Sequence, residues 1–292
     1  MPSSLSSAWT FVLDWTAPPD RPALDLALDE ALLNHATALA EAETKVEAEV
    51  LVQPGCSCDI APASNATPTP PHRWVRLWSR PAAVVVLGAT RPFARDARPE
   101  LCQAEGVPIL RRSSGGGTVL LGPGVLCGAI VAPIGEDPAY RAVDRAQVTL
   151  LERLAEALRG YLDSEARSSL RVEGSGDLTW QGRKFAGSAQ RRTKTHLLVH
   201  VSVLTPEADL NAIDRYLPLP DRVPDHRRAR SHNEFLTVAP IDWERLVCAL
   251  LEAWAGPPSQ RAWLDHPPPD ALARAEMLVR ERFGQQDWIE RF

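Results

Sequence analysis

The sequence predicts an α+β fold, with a mixed, mainly antiparallel sheet flanked by helices. Three observations point to it. Short β-rich runs crowd the middle of the 292-residue chain, they come as hairpins broken by Gly and Pro clusters rather than by crossover helices, and amphipathic segments stand before and after them. The length suits one large domain or two ordinary ones, and no internal repeat divides it.

Taken in order, residues 9–13 read as a short strand. After the proline punctuation at 18–22, residues 23–42 read as an amphipathic helix, with Leu24, Leu28, Ala31 and Leu32 at helical spacing. From about 43 to 72 the composition turns to Ala, Pro, Ser and Thr and ends in TPTPPH, which predicts an extended, solvated insertion. Runs at 74–78 and 83–88 are strands split by a Ser-Arg-Pro turn, and 108–112, 118–121 and 125–132 continue the pattern. Residues 144–162 form a helix whose apolar face is Val148, Leu151, Leu154, Ala155, Leu158 and Leu162. Strands follow around 181–186 and 196–204. The remainder reads as largely helical, near 206–216, 242–255 and 269–283. The expected organisation is one domain over 1–292, with a helical segment from about 240 and no separate accessory domain.

Apolar residues at 45% and charged residues at 24% are ordinary for a globular chain. A net charge of −5 gives no global basic field, so nucleic acid is not an expected partner. The longest apolar stretches, such as 125–134, are too short to cross a bilayer, and the first residues lack a secretory signal pattern. The cysteines at 56, 58, 102, 127 and 248 make no zinc-type pair of CxxC motifs, and their odd number argues against a disulfide framework. A reduced, cytoplasmic protein that does not enter a membrane is the expectation.

Two segments carry chemistry. Residues 111–118 read RRSSGGGT. Three consecutive glycines beside a strand are costly in backbone entropy, and what they provide is close approach to a ligand with N–H groups facing an anion. The neighbouring arginines and hydroxyls are donors suited to phosphate or carboxylate. The loop lacks the GxxxxGK[ST] arrangement of a P-loop. Residues 177–191 read DLTWQGRKFAGSAQR, with Lys184 just after a glycine turn. An ammonium there can neutralise charge developing on a carboxyl or phosphoryl group. Each segment alone also fits a solvated basic hairpin.

Together, RRSSGGGT at 111–118 and GRKFAGSAQRR at 182–192 resemble the catalytic domain shared by lipoate–protein ligase A, octanoyltransferases and biotin protein ligases, with the lipoate ligase branch nearest. The likeness extends to LDLALDEALL at 24–33, VVVLG at 84–88, the GPG at 122–124 and RRARSHNEFL at 227–236. It implies a biotin/lipoate ligase-like fold that joins lipoate or octanoate, through an acyl-adenylate made from ATP with Mg²⁺, to a lysine of a lipoyl acceptor domain. The implied acceptors are lipoyl domains of 2-oxoacid dehydrogenases or the glycine cleavage H protein. By the same resemblance Lys184 is the catalytic lysine. Arg112, Ser114, Gly115, Gly116, Gly117 and Thr118 bind the substrate, and Ala186, Gly187, Ser188, Ala189 and Arg191 continue the wall. Asp177 stands on the nucleotide or metal side, and no protein cluster for a metal is evident. Residues 84–87, Val119, Leu120 and 125–130 are expected to wall the acyl chain.

Three departures from the family pattern matter. His200-Val201-Ser202 replaces His-Gly-Thr, so Val201 is expected to narrow the pocket or reroute the backbone; His200 itself is a candidate ligand-site residue. Leu121-Gly122 stands where many ligases carry His-Asp. The expected lack of an accessory domain leaves room for a separate accessory subunit. It equally leaves room for an octanoyltransferase that takes its acyl group from acyl carrier protein through a cysteine thioester. Cys127 is the candidate nucleophile for that route, although its apolar strand setting favours inert packing. Cys102 and Cys248 fall on predicted helices. A non-catalytic binder of lipoate or of lipoyl proteins is the third reading.

Overall fold

The computed structural model describes residues 9–51, 73–221, 225–228 and 230–292, with the side chains of 46–51 left aside. Its strands are β1 (Thr10–Asp14), β2 (Arg73–Trp78), β3 (Val84–Leu87), β4 (Ile109–Arg111), β5 (Val119–Leu121), β6 (Val125–Pro133), β7 (Leu170–Glu173), β8 (Asp177–Trp180), β9 (Arg183–Arg192), β10 (His196–Leu204) and β11 (Arg261–Leu264). Eight of them form one sheet in the order β11-β1-β2-β6-β10-β9-β8-β7, and β4-β3-β5 form a second. In the large sheet β1 runs parallel to β2 and β11, and every other pairing is antiparallel. This is the mixed, mainly antiparallel sheet expected of an α+β chain.

The longer helices are α1 (Pro22–Leu51), α2 (Val143–Arg159), α3 (Trp243–Trp254) and α4 (Pro269–Leu278). They cover the two faces of the large sheet. The period-2 alternation of the strands sorts side chains accordingly. On β2, Trp74 and Trp78 enter the core under α1 and α4, whereas Val75 and Leu77 enter the core under α2 and α3. On β10, Leu198 and Leu204 belong to the first core, and Leu197, Val199, Val201 and Val203 to the second. Val201 therefore points away from the α1 side, packed opposite Gly128 of β6, so its bulk neither narrows a pocket nor reroutes the strand. Leu121 is likewise a core residue, paired with Val84.

Three elements depart from expectation. The extended insertion does not begin at 43, because α1 continues to Leu51; the Ala, Glu and Lys there are strong helix formers. Its remainder, with Cys56 and Cys58, lies outside the described residues. The strand expected around 181–186 begins at Arg183 and runs on to Arg192 as a ten-residue β9, because Gln181 and Gly182, both at positive φ, make a tight turn between it and β8. The carboxyl-terminal third is not purely helical, since Arg261–Leu264 joins the sheet edge beside β1.

Candidate active site

The glycine loop is built from behind. Arg112 is 7% exposed, and its guanidinium donates to the carbonyls of Gly115 (2.6 Å) and Gly117 (2.7 Å) and to Ser114 Oγ (3.0 Å). Burial pulls its pKa down to about 10. Arg112 is thus a scaffold of the loop and does not reach the cavity as a substrate donor. Gly116 lies at φ +85°, and a Cβ there would stand 3.0 Å from the Arg112 guanidinium. Gly88, at the end of β3, passes so close that a Cβ would meet the Gly116 carbonyl at 2.1 Å. Only glycine fits at this crossing.

Three more expected ligand residues stand behind the loop, outside the cavity lining. Ser114 Oγ shares a hydrogen bond with His200 Nε2 at 2.7 Å, and His200 Nδ1 lies 3.7 Å from the Asp29 carboxylate of α1. Arg191 donates to Ser113 O at 3.1 Å and lies 3.3 Å from the Glu30 carboxylate. Ser114, His200 and Arg191 hold the loop against α1 and do not line the cavity. Gly115, Gly116, Gly117 and Thr118 do line it. Thr118 Oγ1 donates to Asp96 at 2.9 Å, and Asp96 is in turn held by Arg91.

Facing the loop is the β8–β9 hairpin. Its register shifts between Leu178, opposite Ala186, and Thr179, opposite Lys184, a bulge that leaves Phe185 unpaired. Phe185 is fully buried in the α2–α3 core, and Lys184 turns to the cavity. Lys184 Nζ forms an ion pair with Asp177 Oδ1 at 2.7 Å, and His226 Nε2 is 2.9 Å from Asp177 Oδ2. Gly187 makes room for this arrangement, because a Cβ there would lie 2.7 Å from Lys184 Nζ. Ser188 Oγ accepts from Gln147 of α2 at 2.7 Å and donates to Gly176 O at 3.0 Å.

Loop and hairpin enclose a cavity of about 820 Å³, the size of a cofactor or large small-molecule site. Its lining combines polar side chains, among them Lys184, Asp177, His226 and Gln147, with apolar ones, among them Leu120, Leu204, Ile213, Leu217 and Phe235. Of the expected apolar walls, Val119 and Leu120 are present, but 84–87 and 125–130 are core residues away from the cavity. Sequence reading missed Leu204, Ile213, Leu217, His226, Arg227 and Phe235. The local signals there were the RRARSHNEFL run at 227–236, which holds Arg227 and Phe235, and within it the Ser231–Glu234 capping box that starts the short helix His232–Phe235. Among the described residues, no group of three His, Cys, Asp or Glu side chains could hold a metal ion.

Cys127 is 4% exposed on β6, and burial pushes its thiol well above the ordinary range. It does not line the cavity, so the candidate nucleophile is a packed core residue. Cys102 is buried in the short helix Pro99–Ala104, and Cys248 is exposed on α3. Neither lines the cavity.

Comparisons with known proteins give matches in sequence and in fold. The chain is 31% identical over 181 residues to a candidate lipoate-protein ligase A of Aeropyrum pernix, an alignment spanning 61% of this chain and 62% of that protein. It is 27% identical over 203 residues to the octanoyltransferase LipM of Kyrpidia tusciae, covering 62% and 74% of the two chains. In fold it matches the bi-partite lipoate protein ligase of Thermoplasma acidophilum, with a TM-score of 0.68, 17% identity and 98% and 97% coverage. It also matches a lipoate-protein ligase A bound with ATP, with a TM-score of 0.63, 17% identity and 97% and 98% coverage. A family model described as the lipoyl protein ligase A/B catalytic domain matches residues 21–238, and the chain belongs to that family.

Proposed function

We propose that this protein activates lipoate or octanoate with ATP and transfers the acyl group to a lysine of a lipoyl acceptor domain. The observation that carries the reading is the placement of Lys184. Its ammonium stands on the cavity wall, held by Asp177, with the glycine loop on the same cavity. Both first reactants are anions, and a lysine with backbone N–H groups offsets their repulsion as they meet. The acid's carboxylate oxygen attacks the α-phosphorus, pyrophosphate leaves, and the acyl-adenylate forms. The acceptor amine then attacks the acyl carbon, the bond to the phosphate oxygen breaks, AMP leaves and the amine gives up a proton. Lys184 and the loop amides stabilise the negative oxygen in both steps. Mg²⁺ enters with the triphosphate, as part of that substrate. The apolar side chains of the lining cover hydrocarbon and the adenine face. The Thermoplasma neighbour, described with its E2 lipoyl domain, and a relative in Oceanobacillus iheyensis named for GcvH support lipoyl proteins as acceptors. The description of the Thermoplasma ligase as bi-partite supports a second subunit as partner, and the setting we assign is the cytoplasm.

The octanoyltransferase relatives favour a second reading, acyl transfer from acyl carrier protein without ATP. That route uses a thiolate nucleophile. Among the described residues no cysteine lines the cavity, which favours the ligase reading. The test is intact-mass analysis of a lipoyl domain incubated with the protein, lipoate or octanoate, and ATP. The acceptor should gain one acyl group only with ATP, and Lys184→Ala should abolish the gain. A fully active Lys184→Ala protein would overturn the role of Lys184. Transfer from octanoyl carrier protein without ATP, through a thioester on this chain, would overturn the ligase reading.

A further inference from the structure

Arg111 is the first arginine of the loop motif, yet it faces away from the cavity and is fully buried. Among the described residues no carboxylate pairs with it. Its guanidinium is satisfied by main-chain carbonyls alone. Nη1 donates to Gly88 O (2.9 Å) and Arg91 O (2.7 Å), and Nε and Nη2 donate to Trp288 O (3.0 Å) and Ile289 O (2.9 and 2.6 Å). The last two belong to the short helix Gln286–Ile289, far along the chain. That helix returns the bond, because Trp288 Nε1 donates to Arg111 O at 3.0 Å. Arg291 stacks on the Trp288 ring, 3.8 Å from its centroid, and donates to Ala89 O at 2.7 Å. Phe93 N donates to Phe292 O at 2.8 Å.

Ala89 connects this arrangement to the cavity. Its N–H donates to Ser114 O at 2.9 Å, at the base of the glycine loop, while its carbonyl takes the bond from Arg291. Gly88, held by Arg111, crosses directly beneath Gly116. We infer that residues 286–292 are a strap that holds the glycine loop in register, with Trp288 and Arg291 as positioning residues for the ligand-binding loop. Three glycines leave the backbone unrestrained by themselves, so their order comes from their surroundings: Arg112 holds the Gly115 and Gly117 carbonyls, and the chain beneath holds the base of the loop. The strap supplies that order through two routes. Arg111 leads to Gly88 and then Gly116, and Arg291 leads to Ala89 and then Ser114. Burial adds to the coupling, because without the Trp288 and Ile289 carbonyls the Arg111 Nε and Nη2 donors would be left without partners in a low-dielectric site.

The loop's order can be read without assuming any activity, by amide hydrogen exchange on peptides covering 113–118. In the full chain, Arg291→Ala and the double variant Trp288→Ala/Arg291→Ala should speed exchange there by about tenfold or more, as expected when a local opening becomes easier. Peptides from β6 and β10 should be unchanged. Arg291→Lys, which keeps one donor and the charge, should restore most of the protection. The strap's catalytic consequence rests on the proposed ligase reading. There, KM for ATP should rise about fivefold with kcat nearly unchanged, as for lost positioning of bound substrate. Unchanged exchange at 113–118 in both variants would overturn the inference. So would acceleration spread equally over β6 and β10, which would mark a purely structural segment. If the double variant does not fold, Arg291→Ala alone decides the matter. Failure of the unsubstituted protein to acylate an acceptor would sink the ligase reading and leave the exchange result standing.

Discussion

Gly187 and Cys127 show how single side chains decide the chemistry in opposite ways. Gly187 brings no side chain to the site, but any Cβ there would sit 2.7 Å from Lys184 Nζ and 2.9 Å from its Cε. Only the far end of a flexible lysine has to give way, so Gly187→Ala should leave the fold intact while moving the ammonium. A displacement of about 1 Å at a reacting centre costs on the order of a hundredfold in rate. The expected result is a comparable fall in kcat/KM for acceptor acylation, with a thermal melt close to that of the parent. A fully active Gly187→Ala protein would show that Lys184 is not held where the structure puts it. Cys127 is the converse case. Its thiol is chemically capable but buried in the sheet, with its pKa pushed up by desolvation. Cys127→Ala should retain acyl transfer at the parent level and lose about 1 kcal/mol in a urea melt, the usual scale for a small buried truncation. Loss of transfer with normal stability would restore the thioester route.

At the scale of elements, α1 shows which parts of the molecule were legible in the sequence. The helix itself is plain from Leu24, Leu28, Ala31 and Leu32. Asp25 and Asp29 lie four residues apart on the same helix. The structure buries both. Asp25 accepts from Arg80 Nη1 at 2.9 Å and from Ala17 N at 2.9 Å and also pairs with Arg76, while Asp29 accepts from Arg76 Nη1 at 2.7 Å. Those arginines arrive from β2 and the turn after it, and no local pattern announces the pairing. The same logic separates the two halves of the active site. The triple glycine and the lysine hairpin are contiguous, so their chemistry could be read directly. The bulge that aims Lys184 depends on strand register, and the apolar wall of Leu204, Ile213, Leu217 and Phe235 depends on how three separate segments converge. Arg112, Ser114, Arg191 and His200 have donor chemistry, but their partners in the fold, which sequence does not report, assign them to the loop's scaffold. The buried network carries its own prediction. Asp25→Ala leaves Arg80 an uncompensated buried charge and Arg76 with Asp29 as its one carboxylate, so chemical denaturation should show a loss of about 3–5 kcal/mol. A loss below about 1 kcal/mol, the range of exposed pairs, would mean that the network is effectively solvated.

At the scale of the whole molecule, the cavity is where separately built parts meet. Leu120, Leu204, Ile213, Leu217 and Phe235 belong to or pack on the core under α1 and α4, Ala186 belongs to the core under α2 and α3, and Gln147 reaches in from α2 itself. A ligand filling this space would touch parts of both cores at once, so its binding energy adds to the stability of the assembled fold and not only to a local loop. A non-hydrolysable acyl-adenylate analogue at one hundred times its Kd should stabilise the folded state by about 2.7 kcal/mol. For a chain of this size each kcal/mol moves the melting temperature by roughly 2–4 °C, so the analogue should raise it by about 5–10 °C. Lys184→Ala should blunt the rise, because the ammonium that meets the phosphate–carboxyl junction is gone while the apolar contacts remain. Thr205→Ala serves as a control: its hydroxyl donates to Gly124 O outside the cavity, so the substitution should lower the starting melt without changing the ligand-induced increment. A saturating analogue that leaves the melting temperature of the parent unmoved would show that this cavity is not where the acyl-adenylate is held, whatever the protein does with ATP.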